Sequence, residues 1–138
     1  MSTISTYLFF DGNCAEAMRF YERTLGGKIE MMMTHGEVPA ADRHPSQDDS
    51  RIVHARLAGT DGMVLLASDS MAGEPYAGMR NFSLSLNYPT VTKAKKIFDA
   101  LADGGEIRMP FGKTFWSAGF GMLVDRYGTP WMVSGEQA

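Results

Sequence analysis

The chain has 138 residues, a length that suits one compact domain or two half-domains sharing a core and excludes two independent enzyme domains. Apolar residues make up 44% and charged residues 21%, with a net charge of −3. This balance is that of a soluble globular protein and argues against a nucleic-acid partner, which would call for a basic face. No apolar run approaches the ~20 residues that cross a bilayer; stretches such as 63–67 are typical, so no membrane association is expected. Residues 1–10 lack a charged segment followed by an apolar one, and a single cysteine, Cys14, cannot form an intrachain disulfide. A reducing cytoplasm is therefore the expected location. Eleven methionines and the aromatic set of 8 Phe, 5 Tyr and 2 Trp supply adaptable, polarisable surface for a core or pocket.

In chain order, residues 3–10 are β-prone and are stopped by Asp11-Gly12. Asn13 reads as a helix N-cap with Glu16 three residues on, and Ala17, Phe20, Tyr21 and Leu25 give an apolar stripe up to Gly26-Gly27. Residues 28–34 form a strand. Residues 51–59 and 62–68 form a hairpin across Gly59-Thr60-Asp61-Gly62. The order then recurs: a strand over 81–88, a helix from about Thr90 to Ala102, Gly104-Gly105, a strand over 106–111, and a hairpin at Arg126-Tyr127-Gly128. FYERTLGGKIEM, from Phe20, and FDALADGGEIRM, from Phe98, stand at an offset of 78 residues. Residues 54–68 match 120–134 at an offset of 66, pairing Leu57 with Leu123, Gly62 with Gly128 and Ser68 with Ser134. The smaller second offset places an insertion in the first half, in the polar stretch 34–50. The expected fold is α+β, two tandem βαβββ modules with curved mixed sheets. Module 1 covers 1–70 and module 2 covers 80–138, with a linker at 71–79. Paired modules would enclose a space suited to a ligand.

The opening YLFFDGNCAEAMRFYERTLGG and the closing KTFWSAGFGMLVDRYGTPWMV resemble the PhnB-like branch of the vicinal oxygen chelate superfamily, the glyoxalase, bleomycin-resistance and extradiol-dioxygenase fold. Only the loop around 42–49 falls outside the resemblance. Metal-using members take ligands from the first and last strands of each module. Carried over, these positions are Thr6, Leu65 or Leu66, Ser83 (or Asn81) and Met132, none of them His or Glu. The resemblance thus implies a pocket with neither a catalytic metal nor a cofactor, with Thr6, Ser83 and Met132 touching the ligand instead.

Among residues that could carry chemistry, His35 and His44 lie in or beside the polar insertion and read as solvated loop residues. His54 and Arg56 alternate onto one strand face. With Glu30 they are the catalytic candidates, an acid/base and anion-binding set if that face lines the pocket. The stretch Phe111 to Phe120 combines glycines with Phe111, Phe115, Trp116 and Phe120, flat surfaces that can grip a small ligand or instead plug a sheet end. Asp125 and Arg126 read as a turn pair and Trp131 as core. Cys14, at a helix start, could have a lowered thiol pKa, but a small first-turn residue is the simpler reading. The expected activity is metal-free binding of a small molecule by a homodimer. Isomerase or lyase chemistry on His54, Arg56 or Glu30 is the alternative. Methyl transfer is disfavoured because no glycine-rich strand–turn–helix is present to seat the methyl donor.

Overall fold

The computed structural model describes residues 2–43 and 48–138; His44 lies outside them. The chain forms two compact units, Met1–Ala77 and Gly78–Ala138, each of βαβββ order. Residues 71–77, expected as part of a linker, belong to the first unit, where the Tyr76 hydroxyl donates to the Phe9 carbonyl at 2.7 Å.

The first unit contains β1 (Thr6–Phe10), α1 (Cys14–Leu25), β2 (Lys28–Thr34), β3 (Ile52–Ala58) and β4 (Val64–Asp69). Its mixed sheet runs β1-β4-β3-β2, with only β1 and β4 parallel. The apolar stripe of α1 buries Ala17, Met18, Phe20, Tyr21 and Leu25. Leu8, Phe10, Ala55, Leu57, Leu65 and Ala67 of the sheet are buried, and strand alternation puts them on the α1 side. The helix ends at Gly26, whose φ of 78° lies in the left-handed region that glycine enters freely.

The start of α1 differs from expectation. Asn13 makes no side-chain cap; the buried carboxylate of Asp69, at the end of β4, accepts from Gly12 N at 2.8 Å and Cys14 N at 3.0 Å. Its second oxygen accepts from Ile52 N at 2.8 Å, so one side chain fastens three segments. The polar insertion folds on its own stem. Thr34 and Glu37 form a capping box around a short 3-10 turn, His35–Glu37, and His35 N and Gly36 N donate to Arg51 O and Asp49 O. This closure buries His35, contrary to the solvated state expected for it.

The second unit contains β5 (Leu84–Thr90), α2 (Val91–Ala102), β6 (Glu106–Gly112), β7 (Gly119–Val124) and β8 (Pro130–Gln137), in sheet order β5-β8-β7-β6. Thr90 caps α2 through its hydroxyl, which accepts from Lys93 N at 3.2 Å. Ala94, Ile97, Phe98 and Leu101 of α2 are buried, as are Leu123, Trp131 and Val133 of the sheet. At the turn before β8, the Asp125 carboxylate accepts from Tyr127 N, Thr129 N and Trp131 Nε1, the last at 2.8 Å. Asp125 is therefore a buried clasp rather than a solvated turn residue.

Candidate functional site

Strand alternation, interrupted by register shifts in β2 and β6, assigns the sheet residues to faces. In the second unit Leu84, Leu86 and Tyr88 of β5 and Trp131 and Val133 of β8 take the helix side, which turns Ser85, Asn87, Met132, Ser134 and Glu136 the other way. The cross-strand pairs Met109–Met122 and Met122–Met132 continue that outer face as a row of thioethers. In the first unit the outer face carries Tyr7 and Phe9 of β1, Leu66 and Ser68 of β4, His54 and Arg56 of β3, and Met31 of β2.

A recess of about 400 Å³ opens on the outer face of the second unit, a volume within the range of small-molecule sites. Its floor is polar, formed by Ser85, Asn87 and Ser134, with the Ser134 hydroxyl donating to Asn87 Oδ1 at 2.5 Å. Its wall is aromatic. The loop between β6 and β7 is drawn onto the sheet by Ser117, whose hydroxyl donates to Gly119 O at 2.8 Å and whose N–H donates to Thr114 Oγ1 at 3.1 Å. That anchored loop holds Trp116 between two edge-on rings, Phe115 at 4.8 Å and Phe120 at 5.4 Å between centroids. Glu136 stands on the rim and contributes the one ionisable side chain of the lining.

The residues singled out in the sequence are distributed as follows. Trp116 and Phe120 line the recess, and Phe115 buttresses Trp116 while itself 97% exposed. Met132 shares the face but lies outside the lining. Phe111 points the other way, with its ring 5.5 Å from that of Phe98 on the α2 side. Ser83 precedes β5 and lines a separate cleft of about 330 Å³ with Met122, Val124 and Pro130. Thr6 pairs with Leu65 on the helix side of the first unit, so Tyr7, not Thr6, occupies the outer face of β1.

His54, Arg56 and Glu30 all belong to the first unit. His54 Nδ1 is hydrogen-bonded to the Tyr7 hydroxyl at 3.0 Å, while Arg56 Nε donates to Glu30 Oε1 at 2.8 Å. Cys14 is fully buried. Burial, reinforced by the nearby Asp69 carboxylate, pushes its thiol up to about 12, the reverse of the lowering that a helix start can give. Ser85, Asn87, Ser134 and Glu136 were not anticipated as site residues. Their signal was present as polar residues at period two opposite Leu84, Leu86, Trp131 and Val133.

The donor chemistry can be compared with what a divalent ion requires. On the outer faces of the strands that carry ligands in metal-using members stand Tyr7, Phe9, Leu66, Ser68, Ser85, Asn87, Met132, Ser134 and Glu136, a set with one carboxylate and no imidazole. Among the described residues no group of three or more His, Cys, Asp or Glu side chains is placed to hold a metal ion. This donor set does not fit the ligation such a centre needs.

Two βαβββ units, each with a helix on one face of a four-stranded mixed sheet, define a known class, and the sequence agrees: residues 3–133 match the Glyoxalase/Bleomycin resistance protein/Dioxygenase superfamily, to which the chain belongs. Individual relatives narrow the neighbourhood. The chain is 36% identical to protein YjdN of Escherichia coli (strain K12), over 95% of this chain and 93% of that one. It is 43% identical to protein PA1353 from Pseudomonas aeruginosa, whose crystal structure matches with a TM-score of 0.92 over 100% of both chains. A PhnB protein from Bacillus cereus, which bears a provisional 3-demethylubiquinone-9 3-methyltransferase name, is 27% identical with a TM-score of 0.81, over 99% of this chain and 100% of that one. Among the described residues no helix is long and apolar enough to cross a membrane.

Proposed function

We propose that the protein is a PhnB-like member of the superfamily that binds a small molecule without a catalytic metal, its two units acting as the halves of one domain and two chains forming a homodimer. The observation that carries this reading is the recess of the second unit, where Ser85, Asn87 and Ser134 supply hydrogen-bonding groups beside the Trp116 ring. Such a site grips a flat or partly apolar ligand by stacking and orients it with a few polar contacts. The outer-face donor set supports metal independence. We do not carry over the methyltransferase name of the Bacillus relative, since a βαβββ unit lacks the glycine-rich strand–turn–helix that seats a nucleotide-like methyl donor. The single buried cysteine supports a cytoplasmic location.

Thermal-shift screening against metabolites and antibiotics, with EDTA or added divalent metals, tests the proposal. At least one ligand should raise the melting temperature equally with and without chelator, and Trp116→Ala should abolish that shift. Stabilisation that required a divalent ion, or that survived Trp116→Ala, would overturn it.

An isomerase or lyase reading has one observation behind it, the hydrogen-bonded Tyr7–His54 pair on the first unit. Arg56 and Glu30 satisfy one another and leave His54 as the group able to move a proton. Turnover of a stabilising ligand that is lost in His54→Gln would favour this reading. Unchanged turnover in that variant would remove it.

A further inference from the structure

We infer that the ligand of the second-unit recess is an organic cation, an amine or ammonium group on a flat or apolar body that also carries a hydrogen-bond acceptor. This inference rests on the recess being the binding site. The only ionisable side chain in its lining is Glu136, which strand alternation sets on the same face as Ser134. No ion pair among the described residues engages the Glu136 carboxylate: the acidic partners in those pairs are Asp11, Glu30, Asp99, Glu106 and Asp103. Lys113, on the same loop as Trp116, does not line the recess. The aromatic wall has the same electrostatic sign. The face of an indole carries negative quadrupole density and attracts a cation, and Trp116 is 55% exposed, with Phe115 and Phe120 set edge-on against it. A carboxylate and an indole on one small recess, with no basic group to offset them, favour a positive guest and repel an anion.

The floor sets the second requirement. Because Asn87 Oδ1 accepts from the Ser134 hydroxyl, the amide nitrogen of Asn87 remains as a donor, with the Ser85 hydroxyl beside it. A guest with its cationic end between Glu136 and Trp116 would meet that donor with a hydroxyl or carbonyl oxygen. These contacts recognise an amino alcohol or an amide-bearing amine rather than a simple hydrocarbon cation.

The test uses three probes of nearly equal size on the full chain: phenethylamine, 2-phenylethanol and phenylacetate, which are cationic, neutral and anionic at pH 7. Affinity is read by calorimetry and location by the indole N–H resonances. That of Trp116 should move, while that of Trp131, bonded to Asp125, stays fixed as the internal control. Phenethylamine should bind about tenfold more tightly than phenylacetate, and Glu136→Gln should shrink that ratio to about threefold or less. Equal or tighter binding of phenylacetate, or a cation preference that survives Glu136→Gln, would overturn the inference while leaving the recess as the site. If none of the probes binds, the ligand found by the thermal-shift screen decides: a neutral or anionic ligand that moves the Trp116 resonance overturns the cationic class alone. A ligand that leaves that resonance unmoved overturns the recess itself.

Discussion

Asp69 and Cys14 show how one buried pair shapes the first unit. The Asp69 carboxylate collects the N–H groups of Gly12, Cys14 and Ile52, doing for α1 what a neighbouring cap does for other helices. The same carboxylate adds to burial in holding the Cys14 thiol protonated. Cys14 should therefore be inert: iodoacetamide should fail to label the native protein at pH 8 and label it rapidly in urea. The pH dependence has a definite sign. The unfolded thiol titrates near 9.0 and the folded one near 12, so the fold retains a proton that the unfolded chain has lost. This contribution to stability is complete below about pH 9 and is lost as pH rises from there toward about 12. Urea midpoints measured from pH 7.5 to 10.5 should consequently fall more steeply for the wild type than for Cys14→Ala. Parallel curves would show that the thiol does not contribute.

At the scale of elements, close approach of backbones decides which positions tolerate a side chain. A Cβ on Gly135 of β8 would stand 2.7 Å from Val91 Cα and 2.8 Å from Thr90 O, backbone atoms at the start of α2 that cannot rotate away. Gly135→Ala should cost about 2 kcal/mol or more in urea unfolding. Gly112→Ala, where no atom lies within 4 Å of the added methyl, should stay within about 0.5 kcal/mol of wild type. The same scale explains what could be read in the sequence. The Gly26 stop, the strand Lys28–Thr34, the Thr90 start and the duplicated order all follow from local residue chemistry, and the structure has them there. The Asp69 cap was illegible because the acceptor lies more than fifty residues from the helix it serves. The facing of β1 was illegible for another reason. Tyr7-Leu8-Phe9-Phe10 is apolar at both phases of the alternation, so periodicity alone cannot say which pair meets α1. In β5, by contrast, Ser85 and Asn87 against Leu84 and Leu86 announce the polar floor of the recess, and Glu136 does the same at the end of β8.

Across the whole molecule, each unit has a helix on one side of its sheet and leaves large apolar groups exposed elsewhere, Tyr7, Phe9 and Met31 in the first and Phe82 and Ile107 in the second. Exposed apolar side chains of this kind can be covered by a second copy of the chain, and closed two-fold pairing is the commonest way to do so. Light scattering at micromolar concentration should return twice the 15.2 kDa of one chain, and a monomer would contradict the homodimer proposed above. The parallel pairing of β1 with β4, repeated by β5 with β8, also governs the order of assembly. In each unit the strand synthesised first sits at a sheet edge and bonds to the strand synthesised last. Neither β1 nor β5 can form its ladder on a ribosome until the end of its own unit has emerged, and such long-range closure is slow. Because each unit is continuous in sequence, the first can close while the second is still being made. Biogenesis then proceeds in two acts, each waiting for its final strand.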